Sequence, residues 1–124
     1  MALKDFEKKA KTQNRATSLK REKHEEEAAE SLFMAILQLK NPKECASFFQ
    51  DLCTPSELSA MSERLKVAKL LDEKTLSYRE IHDKTGVSLA TIGRVARFLT
   101  QERNLGYRLI LDRLNRLKGK SYAI

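Results

Sequence analysis

Three short stretches constrain this chain more than any other feature: NPKE at Asn41–Glu44, TPSE at Thr54–Glu57 and SYRE at Ser77–Glu80. Each sets an Asn, Thr or Ser where its side chain can accept a hydrogen bond from an unpaired backbone N–H of a starting helix. Each also sets a Glu three residues later that can reach back to the cap. Two of them carry proline at the first helical position, where a missing N–H costs nothing. Helices are therefore predicted to begin near Pro42, Pro55 and Tyr78. The 124 residues hold only two prolines, both at these starts, and four glycines. No segment alternates with a period of two, so the chain reads as all-α.

A chain of 124 residues supports one hydrophobic core more comfortably than two. No apolar run reaches the roughly 18 residues of a membrane span, and the start, MALKDFEKKAK, lacks the apolar stretch of a secretion signal. Cys45 and Cys53 form no CxxC and have no histidine near them. They read as buried free thiols in a reducing compartment, which points to the cytoplasm and to no metal site.

Residues 1–30 are polar and helix-prone, with apolar residues too sparse for a continuous stripe. They read as a mobile arm that turns helical toward KREKHEEEAAE, ahead of a folded domain over 31–124. The next segment, SLFMAILQLK, is apolar around nearly the whole helical circumference through Leu32, Phe33, Met34, Ile36, Leu37 and Leu39. A helix of that kind must be covered on all sides. An intertwined homodimer supplies the missing walls. CASFFQDLC, with Phe48 beside Phe49, has the same excess.

SELSAMSERLKVAKLLDEK reads as an amphipathic helix with a stripe of Leu58, Met61, Leu65, Ala68 and Leu71. After it come a short capped helix to about Lys84, a turn at Thr85-Gly86-Val87 and a helix from Ser88. Ile81, Val87, Ile92 and Val95 fall where a helix-turn-helix needs core residues, and Gly86 falls where the turn needs positive φ. A last basic helix, YRLILDRLNRLKG, closes the domain.

Charge is unevenly placed. The net charge is +7, and from Gly86 onward eight Lys/Arg stand against two Asp/Glu, so nearly all of the excess lies there. The excess begins with GVSLATIGRVAR, whose leading side chains Ser88, Ala90, Thr91 and Gly93 are small and whose end carries Arg94 and Arg97. A bare helix tip with a basic end suits close approach to a polyanion. A solvated basic tail, or a small helix packed in a core, is the plainer reading.

These residues resemble the Trp repressor superfamily, and within it the YerC/YecD-like branch. The resemblance runs through TPSELSAMSERLKVAKLLDEKTLSYREIHDKTGVSLATIGR, takes in LFMAILQLKNPKECASFFQDLC before it and RVARFL and GYRLILDRL after it, and spans about Ser31 to Leu117. It implies an all-helical, intertwined homodimer that binds duplex DNA through two helix-turn-helix units. Base-contacting positions then fall on Arg79, His82, Leu89, Ala90 and Gly93, and phosphate contacts on Thr91 and Arg94. Small residues at the tip, Ser88 among them, let it approach base edges, while Arg79, Arg94 and Arg97 hold phosphates or read guanine.

The resemblance also implies a tryptophan pocket, and here the chain departs from it. The pocket threonine and two arginines are present as Thr54, Arg64 and Arg94. The pocket glycine is replaced by Val95 and the pocket serine by Phe98. Two bulky apolar side chains take the space of the indole and its ammonium group, so tryptophan is not expected to bind. Arg64 then reads as an ion-pair partner of the carboxylates near it.

His24 reads as solvated, His82 either as a DNA contact or as an exposed helix residue, and Asp72, Glu73 and Asp83 as solvated faces or caps. No nucleophile–base set or phosphate loop is legible, so neither catalysis nor a cofactor is expected. Two other readings stay open. One is a helical protein–protein module with a basic face, and the other is an amino-acid-responsive repressor with a remodelled pocket.

Overall fold

The structure, a computed structural model, describes the backbone of residues 2–122 and the side chains of residues 11–119. Much of the sequence MALKDFEKKAK and the end of the expected 31–124 domain thus lie outside the described side chains. The elements are α1 (Ala2–Ile36), α2 (Pro42–Leu52), α3 (Pro55–Glu73), α4 (Tyr78–Thr85), α5 (Leu89–Thr100) and α6 (Gly106–Tyr122), with no strand among the described residues. The chain forms two compact units, Met1–Phe49 and Gln50–Ile124.

In the first unit α1 is a single helix of 35 residues. The arm expected over 1–30 is helical from Ala2, and no break falls at residue 30. The helix stops at Ile36, earlier than SLFMAILQLK suggested. The amides of Gln38 and Leu39 reach back only three residues, to the carbonyls of Ala35 and Ile36. Such tightened bonds mark a helix end. Pro42 then drives Asn41 out of helical backbone and starts α2. Asn41 Oδ1 accepts from the Glu44 amide at 2.9 Å, as predicted. The Glu44 carboxylate reaches one residue further than predicted, to the Lys40 amide. Within the single chain Phe33, Met34 and Leu37 are exposed, so the apolar segment is not covered on all sides.

The second unit starts at two predicted caps. Thr54 Oγ1 accepts from the Glu57 amide and Glu57 accepts from the Thr54 amide, closing a capping box on α3. Ser77 and Glu80 close the same box on α4. Both helices end in left-handed backbone, on different residue types. Lys74 stops α3 in left-handed backbone at φ 58. Gly86 does so for α4 at φ 76, the conformation for which only glycine carries no steric penalty.

The core of this unit gathers Val67, Ala68 and Leu70 from α3, Ile81 from α4, Val87 from the turn, Ile92 and Val95 from α5, and Leu111 from α6. Ile81 and Ile92 are fully buried, and truncating either to alanine costs about 2–5 kcal/mol. The α3 stripe differs from the expected one. Ala68 is buried, but the core takes Val67 and Leu70, while Met61 stays exposed. Helix α3 is apolar on more than one side, and this core uses only one of them. Cys45 and Cys53 are free but only half-buried.

Asp72 was expected to be solvated. Instead it cross-links α3 to α6: Arg108 donates Nη1 to Oδ1 at 2.6 Å and Nη2 to Oδ2 at 3.1 Å. Arg108 also pairs with Asp112, one turn along α6. The Arg108 hydrogen bonds hold the Asp72 carboxyl below its ordinary range, against the opposing effect of its burial.

Candidate nucleic-acid interface

Helices α4 and α5 are short, capped and joined by three residues, Gly86, Val87 and Ser88. The buried set of Ile81, Val87, Ile92 and Val95 holds them against each other and against α3. The four residues assigned from sequence to the helix-turn-helix core are therefore brought together. The turn is held by side chains as well as by packing. Thr85 Oγ1 donates to the Ile81 carbonyl at 2.6 Å and accepts from the Val87 amide at 3.1 Å. The Val87 carbonyl oxygen lies 2.6 Å from His82 Nδ1.

Ser88 caps α5, and its Oγ accepts from the Thr91 amide at 3.1 Å. The same hydroxyl donates to Thr91 Oγ1 at 2.9 Å. Ser88, Leu89 and Ala90 are exposed at the tip, and Thr91 and Gly93 are half-buried. A Cβ added at Gly93 meets nothing within 4 Å. Nothing in the packing of this chain therefore calls for a glycine at that position.

The three arginines of the region differ. Arg79, in the first turn of α4, is exposed and makes no ion pair or hydrogen bond among the described residues. Arg94 is exposed, with its guanidinium stacked on Phe98. Arg97 donates from Nε to Glu102 Oε1 at 2.7 Å, just beyond the helix end. Sequence reasoning missed this last pair because a spacing of five does not place two residues on one helix face. It also missed Thr85, whose hydroxyl works only once the turn has formed.

Two single-residue expectations need correction. His82 is not a plain exposed helix residue: it is half-buried and bonded to the turn. Arg64 is half-buried, yet none of the three ion pairs among the described residues includes it. The hydroxyl of Thr54 serves the cap of α3, and no hydrogen bond or ion pair joins Thr54, Arg64 and Arg94 to one another. Val95 is 1% exposed and belongs to the core. Phe98 is half-buried beneath Arg94.

A helical unit built on a capped helix, a glycine turn and a second helix with an open tip is a helix-turn-helix domain. Comparison with known proteins narrows the class. The family model described as Trp repressor protein matches residues 27–115. The chain is 42% identical over 92 residues to the uncharacterized protein YerC of Bacillus subtilis (strain 168), a match covering 74% of this chain and 86% of that protein. It resembles the crystal structure of a candidate Trp repressor from Staphylococcus aureus at 46% identity and a TM-score of 0.66, over 71% of this chain and 86% of that one. It resembles that of a TrpR-like protein from Eubacterium eligens at 46% identity and a TM-score of 0.67, over 72% and 90%. The chain belongs to the Trp repressor family. That is a family of helical, DNA-binding regulators rather than of enzymes, and no described helix is long and apolar enough to cross a membrane.

Proposed function

We propose that this chain is a sequence-specific duplex-DNA-binding transcriptional regulator, a repressor, that acts as a homodimer with α5 in the major groove. The observation that carries the reading is the tip of α5. Ser88, Leu89 and Ala90 are exposed there, its side chains apart from Leu89 are small, and a Cβ added at half-buried Gly93 meets nothing within 4 Å. Arg79, exposed in the first turn of α4, is the candidate for guanine contact, and Arg94 and Arg97, exposed further along α5, are the candidates for phosphate contact. His82, Ser88, Leu89, Ala90 and Thr91 complete the contact surface.

The homodimer draws support from apolar surface the single chain leaves uncovered. Phe33, Met34 and Leu37 around the end of α1, and Met61 on the unused side of α3, are exposed. Patches of this kind mark interfaces, and a two-fold dimer presents two reading helices to half-sites about one helical turn apart. Tryptophan has no role in this reading, because Val95 and Phe98 stand where the family resemblance implies a pocket glycine and serine.

Selection of bound duplexes from a random pool tests DNA reading, and mass measurement down to low micromolar concentration tests the assembly. An enriched, two-fold-related motif and a mass near twice the monomer are the results expected. A monomer with concentration-independent unfolding removes the dimer. A dimer that enriches no sequence moves the protein–protein module with a basic face ahead.

A further inference from the structure

Only Gly86, Val87 and Ser88 join α4 to α5, and Gly86 is the residue type whose backbone is least restrained. The peptide before Gly86 is tied to α4, since its N–H donates to the His82 carbonyl at 2.8 Å. The peptide after Ser88 is tied to α5, since the Ser88 carbonyl accepts from the Ile92 amide at 3.0 Å. Two peptides remain that belong to neither helix, one between Gly86 and Val87 and one between Val87 and Ser88. Each is held by a side chain of α4. The Val87 N–H donates to Thr85 Oγ1 at 3.1 Å, and the Val87 carbonyl accepts from His82 Nδ1 at 2.6 Å. A carbonyl oxygen only accepts, so Nδ1 is the donor. Neither Val87 group has another hydrogen-bond partner among the described residues. Thr85 also donates its hydroxyl to the Ile81 carbonyl at 2.6 Å, so one oxygen joins the last turn of α4 to the backbone beyond its cap. Thr85 is half-buried and Val87 is 5% exposed, and a buried N–H that loses its acceptor costs more than an average hydrogen bond is worth.

We infer that Thr85 is a positioning residue of the DNA-reading unit: with His82 it clamps both free peptides of the turn and so fixes the angle at which α5 leaves α4. The inference rests on the DNA-reading function proposed above. Thr85 acts on aim rather than on contact. Specific reading asks Arg79 on α4 and the tip of α5 to reach one duplex together, so it needs one angle between the two helices. A turn released at Val87 spreads over more angles, because Gly86 permits them. The apparent affinity then falls with the fraction of molecules that are competent. Non-specific binding, carried by charge, does not depend on that angle. The buried contacts of Ile81, Ile92 and Val95 keep the helices packed without the clamp, so its loss leaves the unit folded.

Two substitutions in the full chain test this. Thr85→Val removes the hydroxyl and keeps the branched shape, and Thr85→Ser keeps the hydroxyl. Thr85→Val should weaken binding to the selected duplex by about fivefold or more, while affinity for a random duplex at the same salt changes by less than about twofold. Thr85→Ser should recover most of the loss. Amide hydrogen exchange without DNA reads the turn itself. The Val87 amide should be protected in the wild type and in Thr85→Ser, and in Thr85→Val it should speed up by a larger factor than the amide of Val67 in the core. Unchanged affinity for the selected duplex in Thr85→Val, equal loss on selected and random duplexes, or a Thr85→Ser as weak as Thr85→Val removes this inference and leaves DNA reading intact. Should Thr85→Val fail to fold, wild-type exchange and Thr85→Ser decide. A Val87 amide that exchanges as in an unfolded chain, or specific affinity lost in Thr85→Ser although the hydroxyl remains, overturns the clamp. A wild type that binds no duplex removes both the clamp's role and the reading it rests on.

Discussion

On α5 the Arg94 guanidinium lies 4.6 Å from the centroid of the Phe98 ring, one helical turn further along. An aromatic face under an exposed guanidinium contributes about 0.5–1 kcal/mol and narrows the arginine's rotamers. Arg94 is thus held by an aromatic ring of its own chain. Beside it, Val95 is committed to the core.

Calorimetry with L-tryptophan should therefore register no binding. A one-to-one site per chain, weakened by Arg64→Ala, would overturn that expectation. The double change Val95→Gly with Phe98→Ser opens the space, but it also removes a core side chain and adds a glycine within α5. A loss of stability of about 2–4 kcal/mol should accompany any tryptophan binding it restores.

The arginines should separate by role. Arg79→Ala is expected to cost about 1–3 kcal/mol per half-site and to relax preference at one base pair. Neutralising Arg94 or Arg97 should weaken all duplexes alike and lower the salt slope by about 1 per chain. Arg97 has a competitor in Glu102, so Glu102→Gln should tighten non-specific binding, most visibly at low salt. Equal loss on specific and random duplexes in Arg79→Ala argues against guanine reading.

Gly93 offers a test in which stability and binding move in opposite directions. Its added Cβ meets nothing within 4 Å, and it lies inside a helix. Gly93→Ala should then raise stability by up to about 1 kcal/mol, through helix propensity alone. Gly93→Leu should impair specific DNA binding far more than non-specific binding. If Gly93→Leu leaves the preferred sequence and its affinity unchanged, α5 is not the reader.

The Asp72–Arg108 cross-link predicts a pH dependence of stability. The Asp72 carboxyl is held below its ordinary value in the folded chain, chiefly by the Arg108 hydrogen bonds. Its contribution is complete above the usual carboxylate range and is lost as the pH falls through the lowered folded value. At neutral pH Asp72→Asn should unfold at lower denaturant than the wild type, and the difference should shrink in strong acid. A gap that stays constant down to the acid limit contradicts the assignment.

Much of the second unit was legible from sequence because its signals are local. A cap and its glutamate lie three residues apart, so TPSE and SYRE specify their own hydrogen bonds wherever the chain goes. Gly86 states its backbone conformation by being glycine in a turn. The helix-turn-helix core was legible because the apolar period places Ile81, Val87, Ile92 and Val95 on facing sides. The end of α1 was harder to place, since SLFMAILQLK contains no breaker before Pro42. There a tightened last turn decides the boundary.

The sequence by itself determined the helical class, three helix starts, the turn and the clustering of positive charge, since each depends on neighbours in the chain or on composition. Only the tertiary structure decided which partners the polar side chains took. Arg108 finds Asp72 from 36 residues away, Arg97 finds Glu102 across a helix end, and His82 turns to the Val87 carbonyl rather than outward. Those choices depend on the angle between packed helices. That angle follows from how the side chains of several helices fit together, and no local pattern encodes it.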